Sequence, residues 1–479
     1  MRDAAPTADP GDHAMRAAAL LYALLGVTLH ITEGHFHTTW LPIYFAGFVA
    51  WVALAARAPS APRGASADAD LALLALCAAG AWFWSSHALL ADARRGPTLT
   101  LFRQLPWAVV ALCAVAAWQR RAWWPVAAAV AVVIGAKTLI LETSPRPFID
   151  VFTSNTLAAD FYLARVNPYA QVYPDIYGGG HDYRPGMVYW PAVLAVQSAA
   201  RAAFGDIRWS FVLADLVTVA AITAALVRLG LSLRLGLLVA LTGLLSPVGP
   251  FVFEQAWVDP LLFGAFALFA CAMAFEHALL AGCALGLAVA LKQYGAFGAA
   301  VGLAWALRAF GPRRAAQATG AAALTFALTT LPVALQRFDA FVEMTVRVPG
   351  RMGLRRDALS LLVYLADQLT GSQPTTLTLL AAGLSTGAGV VWVLRTPRPS
   401  MAHWAAASGL AYGGFFFFGK QAFCNYHHFL GGFVLLHGAA LLAAAPGVAT
   451  PAPVAPPDEA PLAEPTTREP RRPRRRRGR

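Results

Sequence analysis

Long apolar blocks separated by short polar connections run through this chain from about residue 15 to residue 446. A helix crossing a bilayer needs about 20 predominantly apolar residues, with roughly 17–25 usual. By that measure the blocks at 15–30, 38–56, 70–90, 105–119, 123–141, 209–228 and 235–249 each predict a span. So do those at 260–275, 279–291, 294–309, 315–333, 375–394, 402–418 and 428–446. The pattern predicts an all-α polytopic membrane protein of about fourteen spans, both termini on one side. The first block has neither a strongly basic leader nor a small-residue cleavage site, so it predicts a retained span. Residues 188–204 (VYWPAVLAVQSAARAAF) turn polar too early to cross, at Gln197, Ser198 and Arg201. They predict a helix lying in the outer interface, capped by Gly205, with Tyr189 and Trp190 at headgroup depth.

Composition narrows the class. Hydrophobic residues make up 58% of the 479 and charged residues 13%, against roughly 25% charged in soluble domains. With a mean hydropathy of +0.55, the chain lacks the polar surface to solvate a globule. A soluble enzyme, a secreted disulfide scaffold and a disordered protein are excluded. The five cysteines (Cys77, Cys113, Cys271, Cys283, Cys424) show no paired spacing and read as small hydrophobes.

Charge then orients the spans, because short cytoplasmic connections are enriched in Lys and Arg. With a cytoplasmic N-terminus, the inner connections carry Arg57 and Arg63, Arg120 and Arg121, and Arg228 and Arg234. Arg308, Arg313 and Arg314 come next, then Arg395 and Arg398. The outer hairpin 91–104, with Arg94, Arg95 and Arg103, runs against the rule. The long polar segments 142–208, 250–259, 334–374 and 419–427 then all fall on the outer face. The last stretch, 447–479, is a Pro/Ala run ending in eight arginines between Arg468 and Arg479. It predicts a disordered basic cytoplasmic tail that anchors the topology.

The outer segments hold the candidate chemistry. Val346 to Asp357 (VRVPGRMGLRRD) packs Arg347, Arg351, Arg355 and Arg356 beside a bilayer, and clustered guanidiniums suit phosphate oxygens. Only Lys137, Lys292 and Lys420 are lysines, all near predicted outer span ends. Lys292 interrupts an apolar stretch, so it calls for a partner or a role, unless it snorkels from a hairpin tip. Asp150, between Phe148-Ile149 and Val151-Phe152, is the carboxylate best placed to act as a base, since partial desolvation would raise its pKa. Read blandly, it is a helix N-cap or a partner of Arg146 or Arg165. Asn167-Pro168-Tyr169, Tyr173-Pro174, Gly178-Gly179-Gly180 and Tyr183-Arg184-Pro185 give turns bearing aromatic rings that can stack on sugars or anchor at the interface. Glu254 to Asp259 and Lys420-Gln421 through Asn425, His427 and His428 are further polar connections. Arg208 and Asp215, seven residues apart, are expected to neutralise each other. His30, Glu33, His35 and His37 match no recognised zinc spacing, and no Gly-rich phosphate loop comes after a strand, so neither a metal nor a nucleotide is expected.

Over about residues 123–446 the pattern resembles the GT-C superfamily of integral-membrane glycosyltransferases. It is most similar to bacterial polyprenol-phosphate-mannose-dependent mannosyltransferases and protein-mannosyltransferase-like proteins. The likeness rests on Asp150 in a long outer loop after a span, Asn167-Pro168-Tyr169, the interfacial helix, Glu254 to Asp259, and Leu291-Lys292-Gln293-Tyr294. Arg356-Asp357-Ala358-Leu359-Ser360 and Lys420-Gln421 to Asn425-Tyr426 add to it. The resemblance implies a GT-C-like bundle with an outer layer of loops and an interfacial helix, preceded by a four-span module at 1–122. It implies transfer of a sugar such as mannose from a polyprenyl-phosphate donor to a lipid, glycan or protein acceptor, at the outer face of a bacterial-type plasma membrane. Asp150 would be the base. Arg146, Asn167, Tyr169, Tyr183, Arg184, Glu254, Asp259, Lys292, Gln293, Arg351, Arg355, Arg356, Lys420, Gln421, Asn425 and His427 would bind substrate. No cofactor and no nucleic-acid partner are implied. The family carries its acid in the first outer loop, where this chain has Glu33, so Glu33 competes with Asp150. A transporter or flippase, and a ligase or polymerase for lipid-linked glycans, are the alternative readings.

Overall fold

The computed structural model describes residues 10–57, 67–86, 89, 96–180 and 184–443. Arg63, Arg94, Arg95, Tyr183 and the basic tail lie outside the described residues. Among the described residues the regular elements are all helical, and the extended pairing is an isolated antiparallel bridge between His35 and Ala358. Eight helices are long and apolar enough to cross a membrane, and four more are apolar but shorter. This is a multi-pass membrane protein.

The chain opens with α1 (Pro10–Thr32), α2 (Trp40–Ala55), α3 (Ala67–Ser86), α4 (Gly96–Trp118) and α5 (Trp124–Thr143). Proline marks both ends of α5. Pro125 starts it, and the Ser144-Pro-Arg-Pro147 run stops it, since proline cannot donate the next backbone bond. Next come α6 (Asp150–Leu163), α7 (Pro191–Phe204), α8 (Trp209–Arg228), α9 (Leu233–Leu244), the short α10 (Gly249–Glu254), α11 (Asp259–Ala274) and α12 (Ala278–Leu291). Helix α13 (Gly295–Ala334) is broken at Gly311, whose φ of 77° and ψ of 172° only glycine adopts freely, and Pro312 restarts it. Short helical turns, α14 (Phe338–Val342) and α15 (Val348–Arg351), flank a single π turn at Glu343–Arg347. The chain closes with α16 (Gln373–Arg395), α17 (Met401–Phe417) and α18 (Cys424–Ala443).

Helices α11, α17 and α18 form the buried centre, where Phe266, Trp404, Tyr412, Phe429 and Phe433 meet ring against ring at centroid separations of 4.8–6.4 Å. Offset and edge-on geometries of this kind stabilise beyond area burial. The N-terminal helices are tied into the same body. The Tyr22 hydroxyl donates to the Thr242 carbonyl (2.9 Å), Trp51 Nε1 to His437 Nδ1 (3.0 Å) and Trp84 Nε1 to the Ser246 carbonyl (2.8 Å).

Four expectations change. Segment 142–208 is not loop up to residue 188, because α6 forms immediately after the proline run. Tyr189 and Trp190 are not headgroup anchors. Tyr189 is 8% exposed with its ring under Lys292, and Trp190 packs on Phe326 and Phe341. Segment 334–374 winds into the short turns named above. Finally, Arg208 and Asp215 do not pair, since seven residues separate them by about 10 Å along a helix. Arg208 is held by Asp206 (2.7 Å), while Asp215 binds Lys137 on α5 (2.5 Å).

Candidate functional site

At one end of the bundle the connections close around a cavity of about 810 Å³. Its lining comes mainly from the α1–α2, α5–α6, α6–α7, α12–α13, α15–α16 and α17–α18 connections, with Phe251 of α10 and Trp257 just after it. Asp150 lies at its edge as the first residue of α6, where a carboxylate suits the helix N-terminus. Its backbone N–H donates to the Tyr177 hydroxyl (3.3 Å), and its Oδ1 accepts from the Val151 amide (2.8 Å). Tyr177 is itself presented by a turn in which Asp175 accepts from the amides of Tyr177 (2.9 Å) and Gly179 (2.5 Å). Burial first, and then the Asp150 carboxylate, push the Tyr177 hydroxyl above its ordinary pKa.

Across the cavity, Lys292 sits in the α12–α13 turn, 4% exposed. Its ammonium binds both oxygens of Asp259 (3.0 and 3.2 Å) and lies over the rings of Tyr189, Tyr294 and Tyr426 at 5.3, 4.6 and 4.7 Å. The Tyr294 hydroxyl and Asn425 Nδ2 (2.7 Å) also donate to Asp259. Burial pushes the Lys292 pKa down, against the pull of Asp259. The adjacent Gln293 amide donates to the Val188 carbonyl (2.8 Å) and the Thr345 carbonyl (2.9 Å), fixing the turn against two walls. Lys420 Nζ donates to the carbonyls of Gly350 (2.9 Å) and Met352 (2.6 Å) and to Thr375 Oγ1 (2.6 Å). Gln421 reaches the Gly353 carbonyl (2.9 Å), so this connection is clamped to the segment leaving α15. Arg355 forms a two-pronged pair with Asp357 (2.9 and 2.7 Å) and lies 5.2 Å over the Phe423 ring. Burial would raise Asp357, but hydrogen bonding from Arg355 and its charge outweigh it and hold the carboxyl below the usual range. Arg184 lines the cavity, exposed, and makes no hydrogen bond or ion pair among the described residues.

The cavity therefore brings together Asp150, Arg184, Lys292, Gln293, Arg355, Lys420, Gln421 and Asn425, with Asp259 immediately behind Lys292. Other residues singled out in the sequence have different places. Asn167 is a brace, donating to the Val333 carbonyl (2.9 Å) and accepting from the Tyr169 amide (3.0 Å). Tyr169 in turn donates to the Tyr189 carbonyl (2.7 Å). Arg146 is exposed outside the lining, Glu254 is fully buried in α10, and His427 is buried between the Tyr44 hydroxyl (3.3 Å) and the Leu359 carbonyl (3.0 Å). Arg351 pairs with Glu343 and Arg356 with Asp367, with both arginines on exposed surface, so the four-arginine cluster is dispersed along its turns. Tyr183 lies outside the described residues.

Tyr177 and Asp357 belong to the site, although neither was singled out as a site residue in the sequence; Asp357 stood there only within the Arg356–Ser360 segment. The Asp175-x-Tyr177 turn before three glycines was the one sequence signal for the first. Glu33 and His35 line the same cavity as Asp150. Their connection is delivered by Gly34, whose φ of 78° and close approach to the Cys424 backbone leave no room for a Cβ.

Chemically, the cavity offers the Asp150 carboxylate and the Arg184 guanidinium between walls of tyrosine, tryptophan and phenylalanine rings. No family model matches the chain, and no curated protein is significantly similar to it.

Proposed function

We propose that the protein is an integral-membrane glycosyltransferase that moves a sugar, such as mannose, from a polyprenyl-phosphate donor to a hydroxyl-bearing acceptor. The observation that carries this reading is the cavity itself, in which Asp150 and Arg184 face one space of about 810 Å³. That is the size of a pocket for a drug-sized ligand. Its wall continues into apolar residues of α13, α16 and α17 (Phe297, Leu379, Phe415, Phe416), suited to the first isoprene units. Asp150 takes the proton of the acceptor hydroxyl, whose oxygen forms a bond to the anomeric carbon as the carbon–oxygen bond to phosphate breaks. The pair of electrons leaves on the phosphate, where Arg184 meets the charge in a bidentate manner. A single displacement inverts the anomeric configuration. In this reading α13 counts as two segments and α17 as a span, for fourteen crossings in all, with the cavity end on the outer face of a bacterial-type plasma membrane.

The test is transfer from a panel of radiolabelled polyprenyl-phosphate sugars in membranes. Asp150→Asn is expected to lower the rate by about 10²–10⁴-fold at unchanged expression, the contribution of a positioned base. Wild-type rates in that variant would remove Asp150 from the mechanism. One observation favours a second reading. Lys137 and Asp215 form a buried ion pair between α5 and α8, as transporters and flippases use. Movement of a labelled lipid across vesicles without transfer, abolished by Lys137→Met, would select it.

A further inference from the structure

The α1–α2 connection enters the cavity in a way the proposed chemistry does not yet use. Glu33 and Gly34 take successive left-handed conformations (φ 53° and 78°), and the chain then docks edge-on against the segment after α15. The Phe36 amide donates to the Asp357 carbonyl (2.9 Å), His35 bridges Ala358, and the Tyr364 hydroxyl donates to the Thr38 carbonyl (2.8 Å). A non-glycine residue at positive φ persists only where its surroundings over-determine it. Here those contacts hold Glu33 and His35 at the cavity wall beside Arg355, Asp357 and Phe423.

Among the described residues the Glu33 carboxylate makes no hydrogen bond or ion pair, and the His35 ring makes no hydrogen bond. Their capacity is open to a ligand. Two carboxylates disfavour a phosphate on this wall, whereas carboxylates, an imidazole, an Arg–Asp fork and a half-buried phenyl ring match the hydroxyls and apolar face of a pyranose. The wall also adjoins the proposed base, because both Asp150 and Arg355 act electrostatically on the Tyr177 hydroxyl.

We infer that Glu33 and His35, with the Arg355–Asp357 pair, form a binding subsite for a neutral sugar ring of the acceptor, while Arg184 serves the donor phosphate. The assignment of this ring to the acceptor rests on the glycosyl-transfer reading. The probes are methyl glycosides (α-mannoside, β-glucoside, β-galactoside) added to the full-length protein in lipid nanodiscs, with ring-proton saturation-transfer NMR as readout. Wild type is expected to saturate ring protons of at least one glycoside. The isosteric Glu33→Gln, and independently His35→Asn, should weaken that binding at least tenfold, while Arg398→Gln, exposed in the α16–α17 connection away from the cavity, binds within about twofold of wild type. Equal binding by wild type and both wall variants, or no ring-proton transfer to any glycoside, overturns the subsite. Glycoside binding that depends on Glu33, found together with no sugar transfer from any polyprenyl-phosphate donor, sinks the transferase reading and leaves the sugar site standing.

Discussion

Lys292 interrupts an apolar stretch, and the sequence alone says that such a charge needs a partner. It could not say which, because Asp259 is 33 residues away and meets Lys292 only through the packing of α11 against α12 and the turn into α13. The same limit produced the Arg208–Asp215 expectation, where helical spacing suggested a local pair and the fold supplied two other partners, Asp206 and Lys137. With Lys292 and Asp259 both buried, removing one partner leaves an uncompensated charge, which costs about 3–5 kcal/mol. Lys292→Met is therefore expected to destabilise by that order in thermal unfolding of the detergent-solubilised protein. The double variant Lys292→Met/Asp259→Leu should recover part of the loss, because no charge is then stranded. If the double variant loses the sum of the two single effects, the pair is not coupled and the geometry around Asp259 is misassigned.

At the level of elements, apolar blocks marked where helices form, eight of them long and apolar enough to cross a membrane, whereas polar segments were a poor guide. Helix α7 was legible because Pro191 and Gly205 mark its ends. Helix α6 was hidden inside a segment whose polarity and turn residues suggested loop, although Asp150 is a good first-turn residue. The 33–39 connection was legible as a set of His and Glu residues, but its docking depends on backbone pairing with residues more than 300 positions later. Two outcomes are expected from that docking. Gly34→Ala places a methyl group in the Cys424 backbone, so the connection should lift. Cys424, 1% exposed, would then react with a maleimide at that site by mass spectrometry, whereas in wild type it stays unlabelled. The second concerns pH. Asp357 is held below the ordinary carboxylate value of about 3.9, so its contribution is complete above that pH and is lost as pH falls through its lower, folded value. Hydrogen exchange at 33–40, corrected for the intrinsic rate, should rise on acidification below about pH 4 in wild type. Asp357→Asn should show the raised exchange at neutral pH and little further change.

Across the whole molecule, the two ends of the bundle differ in what arginine does. Away from the cavity, Arg308 donates to the carbonyls of Thr396 (3.3 Å) and Pro397 (3.0 Å), Arg314 to the Glu276 carbonyl, and Arg234 to Asp70 and the Ala116 carbonyl (2.9 Å). These side chains cap helix ends and lace neighbouring connections together, so the residues that suggested an orientation also knit one face of the fold. Around the cavity, Arg351, Arg355 and Arg356 pair with nearby carboxylates, and Arg184 lines the open space. Counting apolar blocks assigns the two sets to opposite faces as an expectation, because span parity needs no tertiary information. It could not foresee which of the cavity-end arginines face one space, since that depends on how the turns between Ala334 and Gln373 wind. The orientation is open to direct measurement. Val172, 84% exposed in the segment between α6 and α7, and the exposed Arg398 in the α16–α17 connection report the two ends. In a cysteine-free background, Val172→Cys should react with a membrane-impermeant maleimide on intact cells, and Arg398→Cys should react only after the membrane is opened. The reverse pattern would turn the cavity toward the cytoplasm, where the lipid-linked donor proposed here would have to be presented from the other leaflet.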